Sequence, residues 1–123
     1  MRELVAAFNR GELASTVEVL DEHVVWDARD CPVPDLHTVY HGRAGVTDFW
    51  MEWLPMWERI ESEILWIEGV GDRVVMWLRQ EHVGRGGASA STDYGWDVIF
   101  RNGQIIRVNF FSGEAKARAA LAT

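Results

Sequence analysis

Apolar positions recur along this chain first at helical spacing and then in alternation. Leu4, Val5 and Phe8 share one helical face, and Gly11 follows as a residue able to take the left-handed conformation that ends a helix. Leu13, Val17 and Leu20 repeat the spacing and predict a second short helix stopping before His23, after which Val24, Val25 and Trp26 begin a strand. No period survives from Ala28 to Val39, where Pro32 and Pro34 interrupt the chain. That stretch reads as a loop over the mouth of the fold, a natural lid, with a short strand near Val39-Tyr40. Gly42 opens the main helix. Val46, Phe49, Trp50, Trp53, Trp57 and Ile60 form its apolar stripe, and Pro55 predicts a kink in the last turn.

Beyond it, strands are predicted over 61–69, 72–83, 91–101 and 104–112, divided by Gly71-Asp72, Gly84 to Gly87 and Asn102-Gly103. Helices followed by a meander of strands define an α+β fold, and the length fits a single domain over 1–123. Asn102-Gly103 is the strongest turn signal, because both residues accept the positive φ of a type I′ hairpin. Extending that register pairs Phe100 with Ile105, Val98 with Arg107 and Trp96 with Asn109, and brings Tyr94 near Phe111. This aromatic face is expected to line a cavity. The strand over 72–83 splits into Val75, Trp77, Arg79, Glu81, Val83 and Val74, Met76, Leu78, Gln80, His82. Neither set is cleanly polar, so one face should meet the helices and cavity and the other a further element or a second subunit. A homodimer is therefore expected.

Composition adds one anomaly, seven tryptophans in 123 residues. Each ring brings a broad apolar face and one N–H that needs a partner when buried. Trp26, Trp77 and Trp96 lie on strands and are expected to face a pocket holding a small apolar molecule. The Trp50/Trp53/Trp57 stripe serves a core as readily as a ligand cage.

A net charge of -7 and scattered arginines argue against nucleic acid and anionic membrane surfaces as partners. No stretch has the roughly 20 apolar residues of a membrane helix, and Met1-Arg2-Glu3 does not lead into a signal peptide's apolar block. A cytoplasmic protein is expected. Cys31 is the lone cysteine, which excludes an internal disulfide. Asp35, His37 and His41 lie close in sequence but lack a helical ligand pattern, so no metal is expected. His41 is placed instead beside Tyr40 at the pocket rim. Gly84-Arg85-Gly86-Gly87 follows a strand without opening a helix and reads as a hairpin tip.

Six motifs in order carry a family likeness: Ala7-Phe8-Asn9-Arg10-Gly11-Glu12-Leu13, Val24-Val25-Trp26-Asp27, Tyr40-His41-Gly42-Arg43-Ala44-Gly45-Val46, Gly71-Asp72-Arg73-Val74-Val75, Arg101-Asn102-Gly103-Gln104-Ile105 and Glu114-Ala115-Lys116-Ala117. With them, the chain resembles the SnoaL-like branch of the nuclear transport factor 2-like superfamily over almost its whole length. The resemblance implies a cone-shaped, curved antiparallel sheet packed on about three helices, enclosing one pocket, commonly in dimers and without a cofactor. That cone serves ketosteroid isomerases, polyketide cyclases, limonene-type epoxide hydrolases, scytalone dehydratase and members that only bind, so fold alone does not select a reaction.

Asp27 matches the isomerases' general base. Their oxyanion-stabilising tyrosine falls near Leu4, which cannot donate, and their second acid near Gly95 or Asp97. Arg79-x-Glu81 is similar to the Arg-x-Asp of the epoxide hydrolases, and Asn109 stands near both their third acidic member and the acidic residue of the cyclases. The resemblance thus implies proton-transfer chemistry (isomerisation, cyclisation or dehydration) on a small cyclic apolar substrate. Asp27 would be the base, Arg79, Glu81 and Asn109 would orient polar groups, and Trp26, Tyr40, His41, Trp53, Trp57, Trp77, Trp96 and Phe111 would surround the ligand. The alternatives are an Asp27 paired with Arg29, a plain Arg79–Glu81 ion pair, an epoxide hydrolase-like enzyme, and a non-catalytic binding or interaction module.

Overall fold

The computed structural model describes residues 1–10, 12–31, 38–53, 55 and 57–122, apart from the side chains of Phe8, Leu13 and Trp53. The elements run α1 (Arg2–Asn9), α2 (Leu13–Glu18), β1 (Leu20–Asp27), β2 (Val39–His41), α3 (Gly42–Trp53), β3 (Trp57–Val70), β4 (Arg73–Gly84), β5 (Ser89–Arg101), β6 (Gln104–Phe111) and α4 (Glu114–Ala120). The strands form one six-stranded sheet in the order β2-β1-β6-β5-β4-β3. It is antiparallel except where β1 runs parallel to β6. The α+β architecture is the one the sequence predicts. Gly11, expected to end the first helix, and residues 32–37, the heart of the expected lid with Asp35 and His37, lie outside the described residues.

The main helix ends at Trp53 where the apolar stripe predicts a kinked continuation. Proline lacks an N–H and restricts the residue before it, so Pro55 stops the helix. Trp57 and Ile60 consequently belong to β3, which starts four residues earlier than alternation predicts. The side chain of Asn9, at the end of α1, holds this edge strand by donating to the Ser62 carbonyl and accepting from the Ser62 N–H, both at 2.9 Å.

The Asn102-Gly103 turn forms as expected, with φ of 54° and 79°. Arg101 faces Gln104 and Phe100 faces Ile105, but the next pair is Ile99 with Arg107. This β-bulge inserts one residue into β6, and one residue of shift exchanges the two faces of a strand. Asn109 therefore faces Asp97, not Trp96, and Phe110 takes the place beside Trp96.

The sheet separates two apolar clusters. Inside, against α1 and α3, lie Val24, Trp26, Leu78, Tyr94, Val108 and Phe110 with Val46, Phe49 and Trp50. Outside, Val75 and Trp77 pack under Ala117 and Ala120 of α4, with Phe111 and Trp66 alongside. This fourth helix, unpredicted as an element, supplies from the same chain the cover that the sequence assigned to another element or subunit.

Gly95 lies beneath α4. A Cβ there would lie 3.0 Å from the Ala117 Cβ, 3.1 Å from the Trp77 ring and 3.3 Å from the Met76 carbonyl. Gly95→Ala is expected to destabilise the fold by about 1–3 kcal/mol through overpacking, read as a lowered urea midpoint, while Gly113→Ala, whose Cβ meets nothing within 4 Å, serves as the control.

Candidate functional site

Between the inner face and the helices lies a cavity walled by β1, β4, β5 and β6 and closed by Phe49 and Trp50 of α3 and by Leu4 and Val5 of α1. Rings dominate it. Trp26 packs edge-on against Trp50 at 5.7 Å, Trp96 at 5.4 Å and Phe110 at 5.6 Å, while Tyr94 stacks on Phe110 at 5.8 Å and 7°. The cavity between these side chains has a volume of about 40 Å³. The cavity is thus a narrow slot between rings, and a multi-ring ligand must displace side chains to enter.

Its polar side chains are few and uncharged: among the described lining residues there is no Asp, Glu, Lys or Arg. Gln80 is at the centre of the largest set. Its Nε2 donates to Ser62 Oγ at 2.9 Å and to the Tyr94 hydroxyl at 3.1 Å, and its Oε1 meets His82 Nε2 at 2.7 Å. Both amide protons being used, Oε1 can only accept, so His82 carries its proton on Nε2. The imidazole stacks on Trp57 at 4.6 Å and 27°. Burial pushes His82 below its ordinary value and keeps it neutral, and burial likewise pushes the Tyr94 phenol upward and keeps it protonated.

The four residues assigned to catalysis do not reach this cavity. Strand alternation sends Trp26 inward and Asp27 outward. There Asp27 is bound by Arg29 at 2.7 Å and Arg107 at 3.1 Å. The Arg29 hydrogen bonds hold its carboxyl below the usual range, opposite to what a general base near neutrality needs. Asn109 is outside because of the bulge, accepting from Arg107 Nε at 2.7 Å and donating to Asp97 at 3.2 Å. Arg79 makes a two-pronged pair with Asp93 on the outer face at 2.9 and 3.1 Å, and Glu81 is exposed beside it. The expected cavity wall of Arg79, Glu81 and Asn109 is corrected accordingly: the three side chains are on the outer face.

Of the residues expected around the ligand, Trp26 and Trp96 line the cavity, and Trp57 borders it through His82. Trp77 and Phe111 belong to the outer cluster under α4, a correction that follows from the α4 contact and the bulge. Tyr40 packs behind Phe49 at 5.1 Å, and His41 is exposed on β2. The Trp53 side chain lies outside the described residues. Among the described residues no three His, Cys, Asp or Glu side chains converge as metal ligands.

Sequence reasoning passed over Ser62, Gln80, His82 and Thr92. The available signal was the polar pair Gln80 and His82 ending an otherwise apolar face of a strand covered on both sides, where polar groups require partners.

Residues 1–108 match the family model for the SnoaL-like domain, and the chain belongs to that family. No curated protein matches it. Among solved structures, a nuclear transport factor 2-like protein of unknown function from Burkholderia pseudomallei superposes with a TM-score of 0.79 at 20% identity, covering 99% of this chain and 94% of that one. TerC, crystallised with polyporic acid, gives 0.76 at 17% identity over 98% and 93%. RV0760c from Mycobacterium tuberculosis, in complex with estradiol-17β-hemisuccinate, gives 0.76 at 12% identity over 93% and 91%. At these identities the likeness shows the fold.

The lowered His82 pKa fixes a sign for pH dependence. The unfolded chain takes up a proton near 6.5 while the folded site resists it until lower pH. Stability is therefore full above about 6.5 and is lost as pH falls from there to the folded value. Urea midpoints measured between pH 8 and 5 should fall on acidification, and His82→Gln should flatten the fall.

Proposed function

We propose that this chain binds a small, uncharged, largely apolar cyclic molecule in the slot between the inner sheet face and α3, working in the cytoplasm. The observation that supports this most directly is a ring-lined cavity without a charged side chain among its described lining residues. A charged ligand would lose its hydration there with no opposite charge to receive it. The ligand complexes of TerC and RV0760c are those proteins' own; they lend a precedent for a small-molecule ligand on the same fold and not for its lack of charge, since a hemisuccinate carries a carboxylate.

A second reading, cofactor-free proton transfer of the isomerisation, cyclisation or dehydration kind, is favoured by His82. It is a neutral imidazole in the cavity wall, oriented by Gln80, where burial favours the basic form. In this reading His82 takes the role that the family resemblance gave to Asp27.

Self-association as a homodimer is part of the proposal. β3 is a 14-residue edge strand, with Leu65 and Val70 37% and 53% exposed, and such an edge invites pairing with a second copy. Light scattering should return twice the mass of one chain.

Quenching of tryptophan fluorescence by neutral steroids, aromatic polyketides and terpenoids, with products followed by mass spectrometry, tests the function. Saturable quenching is expected, weakened about tenfold or more when a ligand carries a carboxylate. Asp27→Asn and Glu81→Gln should leave the Kd within about twofold, since neither side chain meets the cavity. If a product forms, His82→Gln should abolish turnover and retain quenching. Turnover that survives His82→Gln but not Asp27→Asn would refute this assignment.

A further inference from the structure

Two indole donors in the cavity wall meet no acceptor among the described residues. Trp26 Nε1 and Trp96 Nε1 are both enclosed, and neither has a hydrogen-bond partner among the described residues. Trp66 shows the ordinary arrangement, its Nε1 donating to Glu114 at 2.8 Å. An indole N–H can only donate, and leaving one buried and unmet costs about 1–3 kcal/mol. The two belong to one place. Trp26 on β1 and Trp96 on β5 flank β6, whose Val108 and Phe110 are their respective cross-strand neighbours. Their rings meet at 5.4 Å and 75°, and Phe110 touches both, at 5.6 and 5.7 Å.

We infer that Trp26 and Trp96 form a donor pair for an acceptor oxygen that bears no proton, so that the ligand is a cyclic ketone, quinone or lactone. The inference rests on the binding function proposed above and narrows its ligand class. Among the described residues, rings contact both members of the pair: Phe49, Trp50 and Phe110 contact Trp26, and Tyr94 and Phe110 contact Trp96. A water molecule or an alcohol placed there brings a proton of its own and finds rings around it, whereas a water needs two to four polar partners to be held. A carbonyl oxygen accepts through two lone pairs and requires nothing in return. Gln80, at the centre of the polar set, does not compete for this task, because its amide protons go to Ser62 and Tyr94 and its oxygen meets His82; the Ser62 and Tyr94 hydroxyls accept there and keep protons of their own, so the indole resonances decide between the two places.

The test uses matched probes differing only at one oxygen: tetralin, 1-tetralol and 1-tetralone, bracketed by cyclohexane with cyclohexanone and by fluorene with 9-fluorenone. Indole N–H resonances of ¹⁵N-labelled protein are followed during titration and assigned with Trp26→Phe and Trp96→Phe, which keep an aromatic ring in place. The ketone of the size that fits should move the Trp26 and Trp96 resonances downfield, and should bind about tenfold tighter than its hydrocarbon and its alcohol. Each Phe variant should remove that preference, read as the ratio of ketone to hydrocarbon affinity within the same variant, so that any general loss of apolar packing cancels. Hydrocarbon binding without any ketone preference, or with both resonances unmoved, overturns the donor pair and leaves the binding function standing; the N–H groups would then be meeting ring faces. Failure of every probe in all three sizes to bind overturns both. The shifts in the wild-type protein remain readable even if a variant folds poorly.

Discussion

The β-bulge between β5 and β6 is the constraint from which the character of both sheet faces follows. Side chains alternate along a strand, so the extra residue after Ile105 decides whether β6 turns Arg107, Asn109 and Phe111 or Val108 and Phe110 toward the helices. With the bulge, the apolar pair goes inward and completes the ring cluster around Trp26 and Trp96. Without it, a guanidinium and an amide would enter a space walled by aromatic rings. The absence of charged side chains among the described cavity-lining residues thus depends on one inserted residue.

What the bulge removes from the inside it gathers outside. Arg29, Asp27, Arg107, Asn109, Asp97 and Arg73 follow one another across the outer face through contacts of 2.7 to 3.2 Å, and Arg73 ends the chain by donating to the Ala120 carbonyl at 2.8 Å. The sequence crosses β1, β6, β5 and β4 and finishes on α4. Asp97 and Asp27 are buried, and in a partly dry setting such linked groups hold one another in register. Residues that resemble catalytic groups by position therefore serve to fasten the sheet and its last helix.

Much of the architecture was legible because local chemistry specifies it. Asn102-Gly103 dictated its turn, alternation marked out the last four strands, and six motifs in order identified the family. The alternative pairing of Asp27 with Arg29 was also readable from sequence, and it is the one the structure contains. The site was less legible. A bulge leaves no residue-type signature in Ile105-Ile106-Arg107, since either isoleucine can face the interior, and so the β6 face was inverted. The small residues of α4 conceal its role until Gly95 is seen beneath Ala117. Gln80 and His82 were grouped on one face of β4, but the cavity was given to the opposite face with Trp77, Arg79 and Glu81; the partners Ser62 and Tyr94 come from neighbouring strands, and only the folded sheet brings them together.

The narrowness of the slot has a consequence in time rather than in affinity. Space for little more than a few water molecules between packed rings means that a ligand enters only when Trp26, Phe49, Trp50 or their neighbours swing aside. Association is then governed by how often the aromatic wall opens, at a rate below the diffusional limit and steeply dependent on temperature. The same closure slows departure. On the binding function proposed above, a molecule once admitted is retained by the walls as well as by its contacts.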